Sequence, residues 1–203
     1  MITRRSLLAA ASAAAIAAAS FSAPALAADQ GVIKVGVNPG SQAEIMEVVK
    51  SNAEKLGLKL KVIEFSDYIA PNVALDSGEI DINSFQHQPY LDRMVKDRHY
   101  KIESVAKTIV APIVYFSNKG YKNINEVPAG SRIAIPNDAT NEGRALLVLQ
   151  SAGLIKLNPK AGLQATPLDI TSNPKKFKFI ELEAPQLPRA LPDVAVAAVN
   201  STY

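Results

Sequence analysis

Cysteine and tryptophan are absent from the 203 residues, and only 6% of them are aromatic. Without cysteine there is no disulfide framework, no thiolate metal site, no cysteine nucleophile and no lipid attachment through a cysteine. Histidine is almost as scarce, with two residues, so a metal site needs carboxylates, and none cluster at ligand spacing. Glycine (10) and proline (13) are too few for a collagen-like or low-complexity chain. What the chain does have is an apolar fraction of 48%, which argues against disorder. Its length suits one domain or two small lobes with a core. The 22 basic and 19 acidic residues leave a net charge of +3, too small an excess to argue for a nucleic-acid partner.

Part of that excess sits in an N-terminal leader. Arg4 and Arg5 precede an uncharged, alanine-rich stretch over residues 7–21, and Ala25-Leu26-Ala27 forms an A-x-A cleavage signature. Residues 1–27 therefore read as a signal peptide, of the Sec or the twin-arginine type. Their removal, with two arginines and no acid, leaves 176 residues and a net charge of +1. No later segment reaches the roughly 18 apolar residues of a membrane span.

Beyond the leader, strand-like and helix-like patterns alternate. Residues 32–37 read as a strand closed by the turn Asn38-Pro39-Gly40. Ser41 with Glu44 offers a capping box, and Ile45, Val48, Val49, Ala53 and Leu56 fall at helical spacing. Strands are expected over 58–65 and 80–82, with a helix over 67–77 containing Pro71. This βαβ spacing predicts a parallel sheet, whose sites lie at the strand-to-helix loops. Further strands are expected over 109–117, 132–135, 177–182 and 193–199, with a short helical piece over 123–127 and a helix carrying Leu146 and Leu149.

Four stretches offer chemistry. Asp81-Ile82-Asn83-Ser84-Phe85-Gln86-His87-Gln88-Pro89-Tyr90-Leu91 follows a strand. It reads either as a polar loop entering a helix at Pro89 or as an aromatic-walled pocket built by Phe85, His87 and Tyr90. No serine or cysteine elbow accompanies His87, so enzyme chemistry has little support. His99, in a charged stretch, reads as solvated. Asn137-Asp138-Ala139-Thr140-Asn141-Glu142-Gly143-Arg144 opens a helix. It is either a well-capped start with an exposed arginine, or an anion site where backbone N–H groups and Arg144 clamp a carboxylate. Tyr68 lies on a strand-to-helix loop. Asn200, after an apolar strand, can both donate and accept.

Taken together, these stretches resemble the methionine-binding, NlpA-type substrate-binding proteins of ABC importers. Gly36-Val37, Ala43-Glu44-Ile45, the Phe85-Gln86-His87-Gln88-Pro89-Tyr90 run, Pro136-Asn137-Asp138 with Asn141, Gly143-Arg144-Ala145-Leu146 and Asp193-Val194-Ala195 through Asn200 carry the likeness. It implies an α/β, two-lobe periplasmic-binding-protein fold of type II character that binds a free amino acid, foremost methionine, and delivers it to an inner-membrane ABC permease. No enzyme activity, cofactor, metal or nucleic-acid partner is implied. By motif, Arg144 pairs with the ligand carboxylate, Asn141 and Asn200 hold its amino and carboxylate ends, and Tyr68, Phe85, His87 and Tyr90 wall the side-chain slot. Alternatives are a binder of another apolar amino acid or short peptide, or an exported hydrolase.

Lobe 1 is expected over 28–116 plus 200–203 and lobe 2 over 117–199. Two departures from the family shape further expectations. Family members carry a lipid on a cysteine at the cleavage site; with no cysteine, this protein is expected free in the periplasm and not lipidated. The family chain also continues beyond the Asn200 strand, so a C-terminally truncated, incomplete lobe 1 is expected, with apolar surface uncovered over 58–65 and 80–82.

Overall fold

A computed structural model describes residues 31–200 and Tyr203. The expected leader lies outside the described residues. The compact unit that begins at Val32 carries the architecture that follows.

Two sheets organise this unit. In the first, β1 (Ile33–Val37) lies between β2 (Leu60–Glu64) and β3 (Ile82–Ser84), and both pairings are parallel. Helix α1 (Ser41–Lys55) connects β1 to β2, and α2 (Ala70–Asp76) connects β2 to β3, as parallel strands require. Val35 and Val37 alternate onto one face, where Ala43 and Met46 of α1 cover them. After β3 comes α3 (Gln88–Arg98), entered through Pro89 in its first turn and closed by His99 in the left-handed region, φ 58°. His99 is exposed, as its charged surroundings suggested.

The second sheet has the order β4-β9-β5-β8, built from β4 (Ile113–Phe116), β5 (Arg132–Pro136), β8 (Lys178–Leu182) and β9 (Val196–Asn200). β5 is parallel to β8 and β9, and β4 runs antiparallel to β9. Helix α4 (Asn141–Ser151) follows β5, and β6 (Lys156–Leu157) and β7 (Ile170–Ser172) form a small antiparallel pair. Both faces of the central strands are buried. Ile133, Ile135, Val196 and Ala198 meet Ala145, Leu146 and Leu149 of α4. On the other face, Ala134, Ala197 and Val199 meet Leu187 and Val194. Near-continuous apolar strands are the signature of a sheet covered on both sides.

Several expectations shift. Helix α1 begins at Ser41 itself, with Gly40 at φ 82° as its cap residue, so Ser41 is the first helical residue and not the cap. The sheet takes the Gln42, Ala43, Met46, Ala53 side of α1, leaving Ile45, Val48, Val49 and Leu56 exposed. The long strand expected over 109–117 shrinks to β4, because residues 102–112 pair with no strand and Val110 is 98% exposed. β4 is hydrogen-bonded to β9, so the first crossing between sheets lies between α3 and β4, ahead of the expected 116/117 division. Of the surface expected to be uncovered, Ile80 is in fact buried and Leu60, Val62 and Ile63 half-buried, whereas Ile82 is exposed.

Candidate functional site

The strand-to-helix loops of both sheets open onto a cavity of about 670 Å³. Tyr68, Phe85, His87, Tyr90, Asn141, Arg144 and Asn200, the residues singled out from the sequence, all line it. Its remaining wall is largely the extended 102–112 segment.

The aromatic side is a mutually packed group. Tyr68 lies 6.0 Å from Phe85 and 6.2 Å from Tyr90 between ring centroids, and Phe85 meets Tyr90 edge-on at 6.1 Å. These separations fall in the favourable range for tilted and T-shaped pairs. Tyr90 is buried, and its hydroxyl donates to the Tyr68 carbonyl at 2.8 Å; burial, reinforced by Asp138 and Asp67, raises the pKa of the phenol. Behind this wall a buried polar lattice sets the β3–α3 loop. Asn72 exchanges hydrogen bonds with Gln86, at 2.9 and 2.7 Å, and accepts from Asn83 at 2.9 Å.

The polar side centres on Asn141. Its Nδ2 donates to Asp138, at 2.9 Å to each carboxylate oxygen. Its oxygen accepts from Arg144 Nη1 at 2.7 Å and lies 3.0 Å from His87 Nε2. His87 Nδ1 accepts from the Tyr90 backbone N–H at 3.2 Å, capping α3, so the neutral ring carries its proton on Nε2 and donates to Asn141. Burial lowers the imidazole pKa, and the neighbouring Arg144 acts in the same direction. Tied to Asp138 through its Nδ2 and to both Arg144 and His87 through its Oδ1, Asn141 is the hub that orients Arg144 and His87.

Arg144 is half-buried, and burial lowers its pKa. Its Nη2 donates to the Ala111 carbonyl at 2.8 Å, so both of its acceptors are neutral. Among the described residues it forms no ion pair within 4.0 Å. Asn200, at the end of β9, is 7% exposed, and its Oδ1 is buried without a hydrogen-bond partner. The anion site read into the start of α4 changes character. Asp138 Oδ1 takes the backbone N–H groups of Thr140 and Asn141, at 3.3 and 2.9 Å, so positive charge at this corner comes from Arg144.

Sequence reasoning missed Gln42, which is buried and lines the cavity from the first turn of α1, and the orienting role of Asp138. A cluster of cap-forming residues signals a helix start, but not which side chain faces the site.

Next to the hub, Glu142 is 8% exposed, and one of its carboxylate oxygens is buried without a partner. Burial, reinforced by repulsion from Glu181, Asp138 and Asp169, pushes its carboxyl up to about 7 from 4.5. An acid with a raised pKa binds more protons folded than unfolded. Its contribution therefore makes stability fall as pH rises from about 4.5 to about 7 and level off above that. Melting Glu142→Gln beside the parent across this window is expected to show the variant gaining on the parent toward pH 8, whereas a constant difference would assign Glu142 no such role.

The arrangement defines a class, and comparison with known proteins gives it a family. The chain belongs to the family described as NlpA lipoprotein, whose model matches residues 33–203. A D-methionine-binding lipoprotein MetQ of Salmonella typhimurium is 52% identical over 178 residues, covering 86% of this chain and 65% of the relative. The chain thus spans about 65% of the length of the curated relatives it matches. A nutrient binding protein from Burkholderia cenocepacia, solved bound to methionine, is 54% identical with a TM-score of 0.82, covering 85% of this chain and 73% of that one. A periplasmic substrate-binding protein of an ABC transporter from Coxiella burnetii is 46% identical with a TM-score of 0.80, covering 85% and 72%. The expected periplasmic-binding-protein fold stands on these likenesses.

One expectation is overturned. The inference from missing cysteine, that the protein carries no lipid, is withdrawn, because the family is described as a lipoprotein family and the relatives are named lipoproteins.

Proposed function

We propose that this protein is the solute-binding component of an ABC importer, taking up a free amino acid, methionine above all, for delivery to an inner-membrane permease. The observation that carries this reading is the pairing, in one cavity, of a half-buried guanidinium that forms no ion pair within 4.0 Å among the described residues with a buried, unpartnered Asn200 oxygen and an aromatic wall. A zwitterionic amino acid supplies the carboxylate for Arg144 and the ammonium for Asn200. Its side chain then lies toward Tyr68, Phe85 and Tyr90, where a thioether gains sulfur–aromatic contact. His87 and Asn141 serve by holding Arg144 in place. The methionine bound in the Burkholderia relative and the D-methionine in the name of the Salmonella one support the same ligand.

The test is a thermal-shift screen of the protein against both enantiomers of all amino acids and several dipeptides. Methionine is expected to raise the melting temperature most, by mass action. Phe85→Ala is expected to weaken methionine binding by about 1–2 kcal/mol through lost burial and ring contact. A screen in which methionine gives no shift while a dipeptide does would move the proposal to peptide uptake.

A further inference from the structure

The loop between β2 and α2, which presents Tyr68 to the cavity, has four successive backbone carbonyls, each taken by a side chain from elsewhere. Asn38 donates to Phe65 O at 2.6 Å and to Asp67 O at 2.9 Å. Tyr90 donates to Tyr68 O at 2.8 Å, and Tyr203 donates to Ser66 O at 3.1 Å. Asn38 and Tyr90 belong to the same half of the chain as the loop. Tyr203 does not: it follows β9 of the second sheet, 137 residues away from Ser66 in sequence.

Tyr203 also packs its ring on Tyr68, with centroids 5.6 Å apart and planes inclined by 43°. Both rings sit against the Ala197, Val199, Leu187 face of the second sheet. Tyr203 N donates to Asn200 O at 3.0 Å, which ties Tyr203 to the end of β9. Asn200, which lines the cavity, is thus hydrogen-bonded to the residue that holds the Tyr68 loop. Tyr203 itself does not line the cavity. We propose that Tyr203 is a positioning residue that sets Tyr68 at a fixed distance from Asn200 and thereby tunes the side-chain slot, an inference that rests on the cavity being the amino-acid site.

The loop geometry agrees. Asp67 Oδ1 receives the N–H groups of Ile69 and Ala70 at 2.7 and 2.8 Å, so the loop is already turned for α2 and needs only its outer edge held. Burial, with Asp67 nearby, pushes the Tyr203 hydroxyl up to about 12, so it stays a donor at any physiological pH. Nothing in the local sequence of residues 65–68 signals this clasp, because its partner lies 137 residues away in sequence.

The experiment compares the parent with Tyr203→Ala and Tyr203→Phe in the whole chain. Without ligand, hydrogen exchange at the Ile69 and Ala70 amides is expected to quicken by about tenfold in the alanine variant and about threefold in the phenylalanine variant, with Ile133–Ile135 unchanged. With ligand, the ratio of methionine to alanine affinity is expected to fall by about tenfold in Tyr203→Ala, since alanine has no side chain to reach the wall. Unchanged exchange at 69–70, or equal losses for methionine and alanine, overturns the inference. If Tyr203→Ala fails to fold, Tyr203→Phe, which keeps the ring and removes only the hydroxyl, carries the exchange measurement. A parent that binds no methionine would count against the transport reading, while the ligand-free exchange still decides the role of Tyr203.

Discussion

Arg144→Ala is expected to weaken methionine binding by about 2–5 kcal/mol, the loss typical of leaving one partner of a desolvated charge pair alone. The guanidinium is half-buried, held by Asn141 Oδ1 at 2.7 Å and Ala111 O at 2.8 Å, and lacks an anionic partner within 4.0 Å among the described residues. Its fork is thus set in place before a carboxylate arrives, which limits the ordering cost of binding. Arg144→Lys should restore only part of the affinity, because an ammonium cannot reproduce the planar, two-point contact. Calorimetry with methionine and methionine amide separates the roles. The amide should bind the parent weakly and lose little more in Arg144→Ala. Equal losses for acid and amide would mean that Arg144 acts only by tying Ala111 to Asn141.

The polar hub around Arg144 shows how far sequence reasoning reaches. Arg144, Asn141, His87 and the aromatic residues stood out as polar and aromatic side chains following strands, and the family resemblance chose the site reading over a plain loop or capped helix. Their convergence on one cavity follows from parallel sheets, which gather strand-to-helix loops at one edge. What the local pattern lacks is pairing. That His87 reaches Asn141 across 54 residues depends on how the two sheets approach each other. Tyr203 is the sharpest case, since its partner Ser66 belongs to the other sheet's loop.

The fold itself was legible where burial is two-sided. The runs at β5 and β9 are apolar on both faces, and both were found to within a few residues. Legibility fails where apolar spacing does not decide which face is covered. On α1, both Ala43–Met46 and Ile45–Val49 satisfy helical periodicity, and only the position of β1 selects the first. Residues 109–112 look like the start of a strand because they are apolar and Ile109 and Val110 are β-branched, yet a strand also needs a neighbour to hydrogen-bond, and none of the sheet strands lies against them.

Gly143→Ala is expected to cost about 3 kcal/mol of stability, and to weaken ligand binding as well. Gly143 lies in the first turn of α4, between Asn141 and Arg144. A Cβ there would overlap Leu163 O and lie 2.6 Å from Leu163 C and 3.1 Å from Ala165 N. These are backbone atoms of the turn over Gly162–Gln164, so no rotamer change relieves the overlap; helix and turn must move apart by about 1 Å to restore ordinary contact. Alanine's better helix propensity returns only about 1 kcal/mol. The displacement falls on the helix end that carries Arg144, with Leu146 and Leu149 of the same helix fixed in the core. Strain should therefore rotate the first turn rather than shift the whole helix, which moves the guanidinium relative to Asn200. Thermal melting and methionine titration of the variant are expected to show both losses together. A parent-like melting temperature would mean that the 162–165 turn yields without strain, and the close approach would then have no structural consequence.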